Sequence, residues 1–104
     1  MKKQYRVIIP PIAKESLRDI FEYIKIDSPS SAIKVQKKLI EIAKSLKNLP
    51  EKFSKEHYLS EKQGNYRSIV QWHYKIIYKV SENEVTIIRF MHTSRDPKRI
   101  EKIE

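Results

Sequence analysis

The chain has 104 residues, one domain's worth, with 22 Lys and Arg against 13 Asp and Glu for a net charge of +9. There is no cysteine and one glycine, Gly64, which excludes disulfide staples, thiolate metal sites, cysteine nucleophiles and Gly-rich phosphate loops. No apolar run approaches the roughly 20 residues of a membrane span, and His57, His73 and His92 show no metal-ligand spacing, so neither membrane, metal nor cofactor is expected.

The opening Met1-Lys2-Lys3-Gln4-Tyr5 leads straight into a β-like run rather than an apolar leader. One domain over 1–104, acting in the cytoplasm, is therefore the expectation. The apolar share is 39%, enough for one small core with a thin stability margin.

Residues 4–9, Gln-Tyr-Arg-Val-Ile-Ile, read as a strand ended by Pro10-Pro11. Pro11 suits the first position of a helix, where a missing N–H costs nothing. Ala13, Leu17, Ile20, Phe21 and Ile24 form one apolar stripe on a helix of about four turns. Ser28 caps the next helix, with Pro29 at its first position. Ala32, Val35, Gln36, Leu39, Ile42, Ala43 and Leu46 line its stripe, and it is expected to end near Leu49-Pro50. The short link makes the two helices an antiparallel hairpin.

Residues 50–65 read as an ordered, lysine-rich loop with a short turn of helix and Phe53, Tyr58 and Leu59 as anchors. Three strands follow, roughly 66–72, 74–80 and 85–92. Ser81-Glu82-Asn83-Glu84 is a good turn, whereas Trp72-His73 lacks the usual Asn-Gly signal. The order β-α-α-β-β-β gives an α+β fold. An N-terminal strand and a helical hairpin pack on a three- to four-stranded, mainly antiparallel sheet. Partly apolar alternation on both strand faces predicts that the second sheet face is not fully wet, with room for a protein partner.

This chain resembles the RelE/ParE toxins of bacterial type II toxin–antitoxin modules. The residues that carry the resemblance are Asn65-Tyr66-Arg67, Tyr74-Lys75-Ile76-Ile77-Tyr78-Lys79-Val80, Val85-Thr86-Ile87-Ile88-Arg89-Phe90-Met91-His92 and the ending His92-Thr93-Ser94-Arg95-Asp96-Pro97. Asp27-Ser28-Pro29 between the helices is similar to the ParE branch. The likeness covers nearly the whole chain as a distributed pattern. It implies a cognate antitoxin, in a heteromeric complex, and one of two targets. ParE-like members poison DNA gyrase, and RelE-like members cut mRNA on the ribosome.

Metal-free RNA cleavage needs a base for the 2′-hydroxyl, cations for the phosphate and an acid for the leaving oxygen. The resemblance places Arg67, Lys75, His92 and Arg95 at or near the nuclease positions. Ile69 stands where the nucleases carry a second lysine, and no aromatic residue follows His92. Lys75 lacks the bidentate fork of arginine. Structural readings stand beside these. Arg67 pairs with Glu61 or a terminal carbonyl, Lys75 is a solvated strand lysine, and His92 anchors the tail.

Arg89, inside an apolar strand, reads as a partly buried ion pair or an antitoxin contact. Met91 lies beside it, and Trp72 packs the hairpin or rims an interface. Residues 1–50 hold 11 basic and five acidic residues, a net +6, mostly on outward helix faces. The leading expectation is a ParE-like, gyrase-directed toxin without chemistry of its own. The alternatives are a ribosome-dependent mRNA endonuclease and a non-toxic antitoxin-binding chain.

Overall fold

Apolar Val7 and Ile8 make the short strand β1, Arg6–Ile8, and Pro10-Pro11 stops it. The computed structural model describes residues 4–56 and 64–93. Helix α1, Pro11–Lys25, starts with proline in its first turn. It buries Ala13, Leu17 and Ile20, with Phe21 and Ile24 half-buried, as the stripe predicts. Helix α2, Pro29–Ser45, is capped by the Ser28 hydroxyl, which accepts from the Ser31 N–H at 3.3 Å. Ala32, Leu39, Ala43 and Leu46 are buried against the core.

The second helix ends earlier than its sequence suggests. Past Ser45 the chain turns to meet the N-terminal segment: the Tyr5 N–H donates to the Lys47 carbonyl at 2.9 Å, and Gln4 bridges Asn48. That pairing takes the backbone groups that another helical turn would use. Leu49 then adopts a left-handed conformation with φ 49°, and Pro50–Lys52 forms a 3-10 turn.

Strands β2, Asn65–Gln71, β3, Tyr74–Val80, and β4, Glu84–His92, form an antiparallel meander. The sheet order is β1-β4-β3-β2, with β1 parallel to β4. The sheet is thus four-stranded and mixed, within an α+β architecture. An Arg6–Glu84 ion pair helps fix the register of β1. Because β1 pairs only with Glu84–Thr86, the rest of β4's outer edge faces α1. There the Ser16 hydroxyl accepts the Phe90 N–H at 3.0 Å and donates to the Ala13 carbonyl at 2.7 Å.

A bulge decides which side chains of β4 enter the core. Ile77 pairs with Arg89 but Tyr78 pairs with Ile87, so Ile88 is an extra residue in β4. Strict alternation from Val85 and Ile87 would send Arg89 into the helix-side core. The bulge shifts the phase, so Phe90 enters that core and Arg89 does not.

The core joins α1 and α2 to Ile69, Ile76, Tyr78, Val80, Val85, Ile87 and Phe90. On the other face, Tyr66, Ile77, Ile88 and Met91 form a second buried cluster. The lone glycine has a backbone reason: Gly64 has φ +128°, a conformation that L side chains rarely adopt.

Candidate functional site

Of the four residues that the nuclease reading needs, Arg67, Lys75 and His92 are among the described residues, and the two cations lie on opposite faces of the sheet. Arg67 lies opposite Tyr78, on the helix side of the sheet. Its Nη1 donates to the Phe53 carbonyl at 2.6 Å and its Nε to Asn65 Oδ1 at 3.0 Å, with Glu51 at 3.6 Å. This carbonyl, rather than a terminal one, makes Arg67 a brace between β2 and the preceding loop. Glu61, its other expected partner, lies outside the described residues.

Lys75 pairs with Val70 and Met91 in the ladder, on the opposite face from Arg67. Its ammonium donates to both oxygens of Glu56, at 2.8 and 3.3 Å. Glu56 is only 1% exposed. The reason is that the loop runs along β2's outer edge. The Ser68 N–H donates to the Ser54 carbonyl at 3.1 Å, and the Glu56 N–H to the Tyr66 carbonyl at 2.9 Å. This edge pairing drives the Glu56 side chain over the sheet, where Lys75 neutralises it. Lys75 is therefore not a solvated strand lysine.

Tyr78 is buried beside Arg67 and donates its hydroxyl to the Pro50 carbonyl at 2.5 Å. Burial pushes its phenol up to about 12, with Arg67 opposing the rise and Glu51 adding to it. His92 pairs with Tyr74 at the far end of β4, edge-on to its ring at 5.4 Å. It also stacks on His73 at 6.0 Å. Burial first, and Tyr23 second, raise the Tyr74 phenol. Arg95 lies outside the described residues.

Arg89 behaves differently from the other cations. A cleft of about 280 Å³ lies between α1 and β4's free edge, lined by Ile12, Glu15, Asp19, Arg89, Phe90 and Met91 among others. The Arg89 Nε is buried there without a hydrogen-bond partner. A buried donor left unpaired costs on the order of 1–3 kcal/mol. Met91, expected as a surface contact, is only 5% exposed and packs with Tyr66, Ile77 and Ile88.

Trp72 occupies the first position of the two-residue β2–β3 turn with φ 57°. The residue is 46% exposed, with the Lys34 ammonium 5.8 Å from the ring centroid. A non-glycine residue held at positive φ in such a turn costs on the order of 1–3 kcal/mol. No group of His, Asp and Glu suited to hold a metal occurs among the described residues.

Sequence reasoning missed Glu56 and Ser16. Ser16 had a signal, as a small polar residue within α1's apolar stripe next to Leu17. Glu56 had none, because its partner is 19 residues away and reached only through edge pairing.

Comparison with known proteins bears on this arrangement. The family model described as the ParE toxin of type II toxin–antitoxin system, parDE, matches residues 7–97. The solved structure titled as the chromosomal ParDE TA system from P. aeruginosa aligns with a TM-score of 0.72 at 19% identity. The alignment covers 88% of this chain and 98% of that one. No curated protein matches the sequence.

Proposed function

The chain belongs to the ParE toxin family of type II toxin–antitoxin systems, and we propose that it arrests growth in the cytoplasm by poisoning DNA gyrase. In this reading it acts by binding alone. The observation that carries the choice of target is the separation of Arg67 from Lys75. Arg67 is committed to Phe53, Asn65 and Glu51, and Lys75 to Glu56 on the other sheet face. Phosphate stabilisation in a transition state needs donors preorganised around one point. Cations held in structural pairs on opposite faces do not supply it.

A cognate antitoxin silences the toxin by occupying the cleft between α1 and β4. Two features support that seat. The buried Arg89 Nε lacks a partner, and an antitoxin carboxylate or carbonyl provides one. Beyond β1, no strand pairs with the outer edge of β4 among the described residues, and Ser16 takes its Phe90 N–H, so an added extended segment meets the part of that edge that remains. The net charge of +9 favours capture of an acidic partner.

The test is a parallel assay of the purified chain. Inhibition of gyrase supercoiling, with transcripts intact in a translating extract, is the expected result. Untouched supercoiling at stoichiometric excess overturns the reading. Ribosome-dependent mRNA cleavage that Arg67→Ala slows by orders of magnitude would install the endonuclease in its place.

A further inference from the structure

One end of the molecule gathers exposed rings from segments far apart in sequence. The C-terminal part of α1 brings Tyr23, which is 77% exposed, with Ile26 exposed just beyond the helix. The first turns of α2 bring Ile33 and Lys34. The β2–β3 turn brings Trp72 and His73. The Lys34 ammonium over the Trp72 ring ties the helical hairpin to the turn. His73 stacked on His92, and Tyr74 edge-on to His92, make a braced base behind the exposed indole.

The backbone at Trp72 adds an independent argument. Its φ of 57° is one that glycine adopts freely and a bulky side chain does not. Folding alone is served better by glycine in that turn. Strain of this kind persists where it holds a group in position for a task. Here it holds a large aromatic ring outward, half in solvent.

We infer that this pole is the surface with which the chain grips its protein target, seating the Trp72 indole in an apolar pocket of that target beside a carboxylate paired with Lys34. The inference rests on the reading of the chain as a target-binding toxin, and it names where the target binds. Tryptophan and tyrosine among aliphatic side chains, with a cation at the edge, are the makings of a protein-interface hot spot. A single-stranded nucleic acid would call for several cations tracking its phosphates. Among the described residues Lys34 is the cation placed against the Trp72 ring, while Tyr23, Ile26 and Ile33 supply apolar surface. The acidic counterpart follows from the net charge of +9. The Arg89 cleft is separate: it draws on α1 residues Ile12 to Ile20, before Tyr23 in the helix.

The decisive variant is Trp72→Gly. Its melting temperature should equal or exceed that of the native chain, and it should still co-purify with its antitoxin. On induced expression, survival should rise at least tenfold over the native chain. Lys34→Glu, which leaves the turn intact, should relieve arrest in the same direction and decides the matter if the glycine variant misfolds. Undiminished arrest by both folded variants overturns the inference, as does loss of antitoxin binding in either or failure of the native chain to arrest growth.

Trp72 is the sole tryptophan, so its fluorescence reports on this pole alone. Salt-sensitive quenching by a uridine or thymidine 20-mer would reassign the pole to single-stranded nucleic acid and so overturn the proposal. The two readings fail separately. Relief of arrest by Trp72→Gly, with gyrase untouched by the native chain, removes gyrase and keeps the pole. Full supercoiling inhibition by Trp72→Gly keeps gyrase and removes the pole.

Discussion

The two long flanks of the sheet carry similar side chains and use them in opposite ways. At the β2 flank, Arg67 and Lys75 are each matched by acceptors: Phe53, Asn65 and Glu51 for one, Glu56 for the other. At the β4 flank, Arg89 shares a cleft with Glu15 and Asp19, yet its buried Nε makes no hydrogen bond. Satisfied charges lock the first flank. An unsatisfied donor marks the second flank, where the antitoxin is proposed to sit. Residue type alone does not separate a structural cation from a recognising one; the state of its acceptors does.

The largest effect should come from breaking the satisfied flank. Glu56→Ala takes from the partly buried ammonium of Lys75 its carboxylate partner, which should destabilise the fold by about 3–5 kcal/mol. Denaturant melts of that variant beside a Glu56→Met, Lys75→Met double variant test the pairing. The double variant should recover most of the loss. A single variant as stable as the native chain would end the contrast.

Next in size is an alkaline effect at the same flank. Tyr78 has its phenol raised to about 12 from an ordinary 10. The folded state therefore favours the protonated phenol, a contribution complete below pH 10 and lost as pH rises toward 12. The loss should approach about 2–3 kcal/mol at the top of that window. Lysines titrate in the same range, so the measure is the difference from Tyr78→Phe. That variant should lose less stability between pH 9 and 12 than the native chain.

The smallest stability effect belongs to the second flank. Arg89→Leu removes an unpaired buried donor, so stability should stay within about 0.5 kcal/mol or rise. Antitoxin affinity should fall by about 2 kcal/mol, roughly thirtyfold, as measured by calorimetry. A large stability loss with unchanged affinity would make Arg89 a structural cation like Arg67, and the two flanks would cease to differ.

Much of the architecture can be read from local patterns. Pro11 and Ser28-Pro29 mark where α1 and α2 begin, and the apolar stripes name the core-facing residues of both. What resists reading is set by contacts distant in sequence. The early end of α2 depends on pairing between Tyr5 and Lys47. The phase of β4 depends on the bulge at Ile88, without which Val85-Thr86-Ile87-Ile88-Arg89-Phe90 would place Arg89 in the core.

The site was read less completely. Arg89 was recognisable as an anomaly in an apolar strand, and Trp72 as a misfit in a turn without Asn-Gly. Arg67 and Lys75 stand out only through the family resemblance. Their partition to opposite faces follows from the alternation of β2 and β3 once the register is known. Glu56 was hidden because edge pairing by a loop leaves no periodic trace.

That loop has a wider consequence. An uncovered outer strand is a template for further strands, and two such edges per molecule allow open-ended growth. Residues 54–56 occupy the Tyr66–Ser68 part of β2's outer edge through the Ser54 and Tyr66 carbonyls. At the opposite margin, β1 and α1's Ser16 leave only part of β4 uncovered. Each margin of the sheet is thus covered over part of its length, which shortens the edge offered to further strands and directs association toward discrete complexes and away from filaments.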